Sequence, residues 1–209
     1  MKRIAILISN AGTGTNLQAI IDGVNSGKIN GRIAVVISDK EDAVGLEYAR
    51  KYCIPTEINQ EKEKLLLLLK KYNIDIAVLA GWRQFLTDGL IGAYQNRILN
   101  LHPGLIPDTI DGVVKNPDGT NGLWNKKMFT DKALQNFLDN KATYAGSSVH
   151  IITYETDFGP VLGRCFEKVL SRDSVESLYA RLKNKENQLY VDVLVKLCSS
   201  DCQKLKEES

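Results

Sequence analysis

Two histidines occur in 209 residues, and both sit among residues that could share chemistry with an imidazole. His102 stands in Asn100-Leu101-His102-Pro103 at the carboxyl end of a predicted strand. Asn100 and His102 are two apart, so an extended chain points both to one side. An amide donor beside an imidazole can hold an oxyanion while a proton moves. His150 lies within a second predicted strand, in Gly146-Ser147-Ser148-Val149-His150-Ile151. Seven residues on, Asp157 heads Asp157-Phe158-Gly159-Pro160, a turn that can bring a carboxylate back to the strand end. A carboxylate beside His102 would orient the ring and favour its charged form. The plainer alternatives are a structural histidine and an ordinary turn aspartate.

A second chemical feature is the loop Asn10-Ala11-Gly12-Thr13-Gly14-Thr15-Asn16, which joins the first predicted strand to the first helix. Backbone N–H groups at a helix start attract anions, and glycines let a phosphate approach the backbone. Thr15 and Asn16 add side-chain donors. No Lys follows the last glycine, so this is not a Walker loop. Leu17 occupies the place of the third glycine of a dinucleotide fingerprint. The alternative is a polar turn without a ligand. The four cysteines, Cys53, Cys165, Cys198 and Cys202, have no CxxC spacing, so no metal is expected and a reducing, cytoplasmic setting fits them.

These groups need a scaffold. Strands are predicted at 3–9, 33–38, 56–58, 74–80 and 97–101, with helices at 17–25, 43–52, 61–72 and 88–94 between them. Apolar strands alternating with helices through short links give an α/β class: an open, mostly parallel, Rossmann-like sheet flanked by helices. Strand carboxyl ends are where such sheets bind ligands, and His102 sits at one. The rhythm breaks after His102. Residues 103–125 hold three prolines and four glycines and read as a long loop, functional or mobile. A helix at 131–140, strands at 147–154 and 161–170, and a long helix at 174–198 complete the chain.

Composition narrows the partners. Lys plus Arg is 27 and Asp plus Glu is 25, a net charge of +2. Such a balance carries no footprint for nucleic acid or an anionic membrane. The longest apolar run, Leu65 to Leu69, is too short to span a bilayer. Met1-Lys2-Arg3 resembles a signal-peptide start, but Asn10, Thr13, Thr15 and Asn16 interrupt the apolar stretch that should follow. Small-molecule substrates are expected, in a monomer or homodimer.

Taken in order, several segments closely resemble the glycinamide ribonucleotide (GAR) transformylase family, folate-dependent enzymes of purine synthesis. They are Ser-x-x-Gly-x-Gly-x-Asn-Leu-Gln-Ala-Ile from Ser9, Asp42-Ala43-x-Gly45-Leu46-Glu47-x-Ala49-Arg50, Leu79-Ala80-Gly81-Trp82, Leu99 to Pro103, Ser148-Val149-His150 and Asp157-x-Gly159-Pro160. The resemblance covers about residues 3–103 and 144–190. It implies the formyltransferase fold in a single domain over 1–209, with 103–125 as an active-site loop insertion. It implies 10-formyltetrahydrofolate as co-substrate and no metal.

By the same resemblance Asn100, His102 and Asp157 match the catalytic trio. Gly14, Thr15 and Asn16 match the phosphate loop, His150 a histidine close to the site, and Glu186 the acid that contacts GAR. Trp82, Arg83, Gln84, Phe85 and Leu86 match the wall that holds the folate pterin. Residues 108–125 depart from the family pattern with a longer insertion that contains no His. Rival readings are a formyltetrahydrofolate hydrolase or an amino-sugar-nucleotide formyltransferase with the same trio. A further rival is a non-catalytic nucleotide-binding domain with Asp39 on a ribose.

Overall fold

The structure is a computed structural model, and it describes residues 1–9 and 14–199. Asn10, Ala11, Gly12 and Thr13 of the first loop, and Cys202, lie outside the described residues. The chain divides into two compact units, residues 1–98 with the chain from Tyr190 onward, and residues 99–189.

In the first unit four strands run parallel in the order β3-β2-β1-β4. They are β1 (Lys2–Ile8), β2 (Gly31–Ser38), β3 (Thr56–Ile58) and β4 (Ile76–Leu79). Ile6 of β1 lies beside Val36 of β2 and Val78 of β4. Ile4, Ile6 and Leu7 are fully buried. This explains why β1 is apolar without alternation: parallel strands are covered on both faces. Each such side chain contributes roughly 1.5–3 kcal/mol on burial. The links between strands are α1 (Thr15–Asn25), α2 (Val44–Lys51) and α3 (Leu65–Lys71), while α4 (Asp88–Ala93) follows β4.

The predicted helix over 61–72 splits here. Lys62–Lys64 is a 3-10 turn, and only Leu65 and Leu69 of the five leucines are fully buried, one helical turn apart. Leu67 is exposed on the opposite face.

The second unit is built on three antiparallel strands in the order β5-β6-β7. They are β5 (Ile98–His102, from Leu99 in this unit), β6 (Tyr144–Ile151) and β7 (Val161–Lys168). α5 (Thr130–Asp139) packs Leu134 and Phe137 against Ala145 of β6 and against Leu178 and Leu182 of α6 (Val175–Cys198). β6 begins and ends three residues earlier than predicted. Ile152 and Thr153 suit a strand by type, but Ile151 N–H bonds to Pro160 C=O and the Thr153 hydroxyl bonds to Phe158 C=O, so the chain already turns there.

Residues 103–125 form no helix and no strand beyond one isolated bridge, Lys115 with Asn121. The base of this loop is nevertheless packed. Leu105 and Ile106 are buried, and Leu105 N–H bonds to Leu123 C=O. The Ser148 hydroxyl donates to Gly104 C=O and accepts from Ile106 N–H.

Candidate active site

β5 and β6 place Asn100, His102 and His150 by register. Asn100 pairs with His150 across the strands, and His102 with Ser148. The Asn100 amide lies 3.2 Å from His150 Nε2. His150 Nδ1 is 3.1 Å from its neighbour's carbonyl, that of Ile151. Burial pushes the His150 pKa down to about 4, assisted by charge on His102 and opposed by Asp157. The ring is therefore neutral near pH 7. Nδ1–H donates to Ile151 C=O, and bare Nε2 accepts from Asn100. His150 thus orients the Asn100 amide.

His102 is 2% exposed. Its Nδ1 faces Asp157 Oδ1 at 3.5 Å, and its Nε2 lies 2.7 Å from the Trp124 carbonyl oxygen. A ring with both nitrogens protonated has a donor for each acceptor. The Asp157 contact is an ion-pair distance longer than a good hydrogen bond.

Asp157 is both the turn residue and the carboxylate that the sequence suggested. Its φ of 51° is left-handed, which Asp tolerates better than most residues. Burial works against its ionisation, but His102 and a 2.7 Å bond from Lys127 N–H outweigh that and hold the carboxyl below its usual value. The Thr153 bond to Phe158 C=O and the Trp124 indole N–H on Asp157 C=O brace the turn.

Glu186 is not a solvated helical glutamate. It lies in the inward stripe of α6 with Leu182 one turn before and Tyr190 one turn after, and it is 3% exposed. Leu189 is half-buried, and Tyr190 takes the inward place at this turn. Glu186 accepts from the Ser147 hydroxyl at 2.6 Å and from Lys183 at 3.0 Å. Burial, with the Glu186 charge second, pushes the Cys165 thiol up to about 12, so it is not a thiolate nucleophile.

In the first unit Gly14 is the residue before α1, in a left-handed conformation with φ 73°. A Cβ there would also lie 2.7 Å from the Tyr48 ring. Gly14, the N-cap of α1, has no side chain to cap the helix. Asn16 is buried, and its Oδ1 has no hydrogen-bond partner. Trp82 to Leu86 is irregular chain after β4, with Trp82 buried and Phe85 80% exposed. The Gln84 amide reaches Gln60 C=O at 3.5 Å. Asp39 and Asn59 end β2 and β3, and each has a buried polar atom without a partner.

Sequence reasoning missed the contributions of Trp124, Lys127 and Ser147. An aromatic side chain inside a polar, Gly-rich loop was the available signal for Trp124. The other two act through a backbone amide and through a hydroxyl that any strand could carry. Among the described residues no group of three His, Cys, Asp or Glu could hold a metal ion. No helix of the described residues is long and apolar enough to cross a membrane.

Residues 2–194 match the Formyl transferase family. The chain belongs to that family. It is 34% identical over 196 residues to the phosphoribosylglycinamide formyltransferase of Escherichia coli K12, covering 90% of this chain and 82% of that protein. It is 31% identical to the chloroplastic phosphoribosylglycinamide formyltransferase of Arabidopsis thaliana over 94% of this chain, and spans 65% of that protein's length. Among solved structures, glycinamide ribonucleotide transformylase 1 of Symbiobacterium toebii superposes with a TM-score of 0.80 at 33% identity. That match covers 95% of this chain and 88% of the other. The α/β class read from the sequence is therefore the fold of the family.

Proposed function

We propose that this family member transfers the formyl group of 10-formyltetrahydrofolate to the amine of GAR, in purine biosynthesis. The observation that carries the reading is the trio at the end of β5. A buried imidazole faces a carboxylate at 3.5 Å there, with an amide two residues earlier on the same strand. The names of the relatives support the same substrates.

The amine nitrogen of GAR attacks the formyl carbon, forming a C–N bond and a tetrahedral oxyanion. The His102 Nε2–H and the Asn100 amide are the donors for that oxygen. A positioned donor of this kind is worth roughly 3–4 kcal/mol. Asp157 holds the charged ring. The bond from the carbon to the folate nitrogen then breaks, and one proton passes from the attacking amine to that nitrogen. His150 stays neutral and keeps the Asn100 amide aimed.

Gly14, Thr15 and Asn16 take the phosphate, the donors being backbone N–H groups at the helix start and the Asn16 amide N–H. Glu186 accepts from the GAR amine. The irregular chain at Trp82, Arg83, Gln84, Phe85 and Leu86 takes the pterin through backbone groups. The reading treats the chain as one catalytic domain with 103–125 as its active-site loop. It includes small-molecule substrates, a cytoplasmic setting and a monomer or homodimer. Calorimetric titrations of GAR and of 10-formyl-dideazafolate, done separately, test it. Each should bind alone. Absence of GAR binding would transfer the site to the hydrolase or amino-sugar reading.

A further inference from the structure

One contact in the trio has no use in formyl transfer. His102 Nε2, the nitrogen needed by the reacting oxygen, is engaged by the Trp124 carbonyl at 2.7 Å. A peptide carbonyl and a formyl group on nitrogen are both amide carbonyls, with the same acceptor and the same preferred donor directions. We propose that in the unliganded protein the Trp124 carbonyl occupies the position of the formyl oxygen, so that residues 122–128 form an internal latch which the formyl donor displaces. The inference rests on the formyl-transfer reading.

The latch is fastened at several points. The Trp124 indole donates to Asp157 C=O at 3.0 Å, and its ring lies against Phe158. Lys127 N–H donates to the Asp157 carboxylate, and Lys126 pairs with Glu155 at 2.8 Å. The Asn125 side-chain amide donates to Pro103 C=O. Asn125 and Lys127 both have positive φ, 55° and 64°, on either side of Lys126. Asn tolerates that backbone, but it is disfavoured for Lys127, whose N–H bond to Asp157 helps to hold it. Of the two oxyanion donors only His102 is blocked in this arrangement, since the Asn100 amide spends one N–H on His150 and keeps a second.

Gly104 is what lets the carbonyl reach the ring. A Cβ on Gly104 would overlap the Trp124 carbonyl oxygen, whereas His102 Nε2, at 3.0 Å, would have to give only slightly. Gly104→Ala should therefore expel the carbonyl while moving the imidazole far less. A donor that must wait for a minor open state binds more weakly by the fraction open. Removing the latch should lower the donor KM by roughly three- to tenfold, with kcat retained and the KM for GAR unchanged.

The experiment compares Gly104→Ala with the parent protein for both KM values and for kcat. A second measurement stands if that variant does not fold. Carbonyl 13C labelling of tryptophan gives one signal each for Trp82 and Trp124, assigned with Trp124→Phe. Saturating 10-formyl-dideazafolate should shift the Trp124 signal in the parent protein, and GAR alone should not. A Trp124 signal that stays put while calorimetry shows the analogue bound would overturn the latch. So would a Gly104→Ala variant with lower kcat and an unchanged donor KM, which would make the carbonyl a support for His102. An analogue that binds neither protein would sink the formyl-transfer reading itself, a result distinct from both.

Discussion

Among the groups proposed for chemistry the two units differ, although Asn116 and Asn187 of residues 99–189 also carry a buried oxygen without a partner. In residues 99–189 the groups proposed for chemistry are satisfied from within: Asn100 by His150, His102 by Asp157 and Trp124, Glu186 by Ser147 and Lys183. In the first unit, buried polar atoms of Asn16, Asp39, Asn59 and Trp82 have no partner. A buried unpaired polar group costs about 1–3 kcal/mol. The contrast separates two ways of being ready for a ligand. In one unit His102 must release an acceptor it already holds, and the other carries groups that a ligand or water would satisfy.

The largest effect should come from Asp157. Asp157→Asn keeps the turn and its Thr153 brace but removes the charge facing His102. Turnover should fall by roughly 10²–10³-fold, the scale of a lost transition-state interaction, with GAR binding nearly intact. Turnover profiles against pH for both proteins check this. An unaltered rate and profile would remove Asp157 from the chemistry.

Next is the buried neutral imidazole. His150 has a folded value of about 4 against 6.5 for the free side chain. Between those values the unfolded chain binds more protons, so stability is complete above pH 6.5 and is lost as pH falls toward 4. The loss should be about 3 kcal/mol, at ~1.4 kcal/mol per pH unit. Urea midpoints across that range should slope steeply in the parent protein and less in His150→Asn. Parallel slopes would mean that His150 is not held neutral.

Smaller changes sharpen the comparison between the units. Glu186→Gln should weaken GAR binding by ~1–3 kcal/mol without altering folate affinity, and should also lower stability because the Lys183 ion pair is lost. Asn16→Ala should weaken GAR binding on the same scale, yet change the stability of the free protein by less than about 1 kcal/mol, since no bond to its Oδ1 is lost. Thermal and calorimetric measurements on both variants decide it. Equal stability losses would erase the contrast.

How much of this was legible in the sequence follows from how local each cause is. β1 and β2 were readable within two residues because their apolar runs need both faces covered. The Asn100 and His102 pairing was readable because strand geometry alone puts them on one side. The early end of β6 was not, because it depends on Thr153 bonding across the turn to Phe158. The role of Trp124 was hidden for the same reason: its backbone carbonyl does the work, and no residue type announces that. Glu186 was expected from the resemblance to contact GAR, but its burial against Ser147 depends on the position of β6 beside α6, which spacing along the helix cannot supply.

The central claim is that the trio moves a formyl group onto the GAR amine. One assay addresses it directly: 10-formyl-dideazafolate and GAR with the purified protein, with water and amino sugars as competing acceptors, and all formylated and hydrolysed products resolved by mass. The account predicts formyl-GAR as the dominant product, in stoichiometry with deformylated folate and dependent on Asp157. Formate without formyl-GAR, or a formyl group on the amino sugar in preference to GAR, would contradict it.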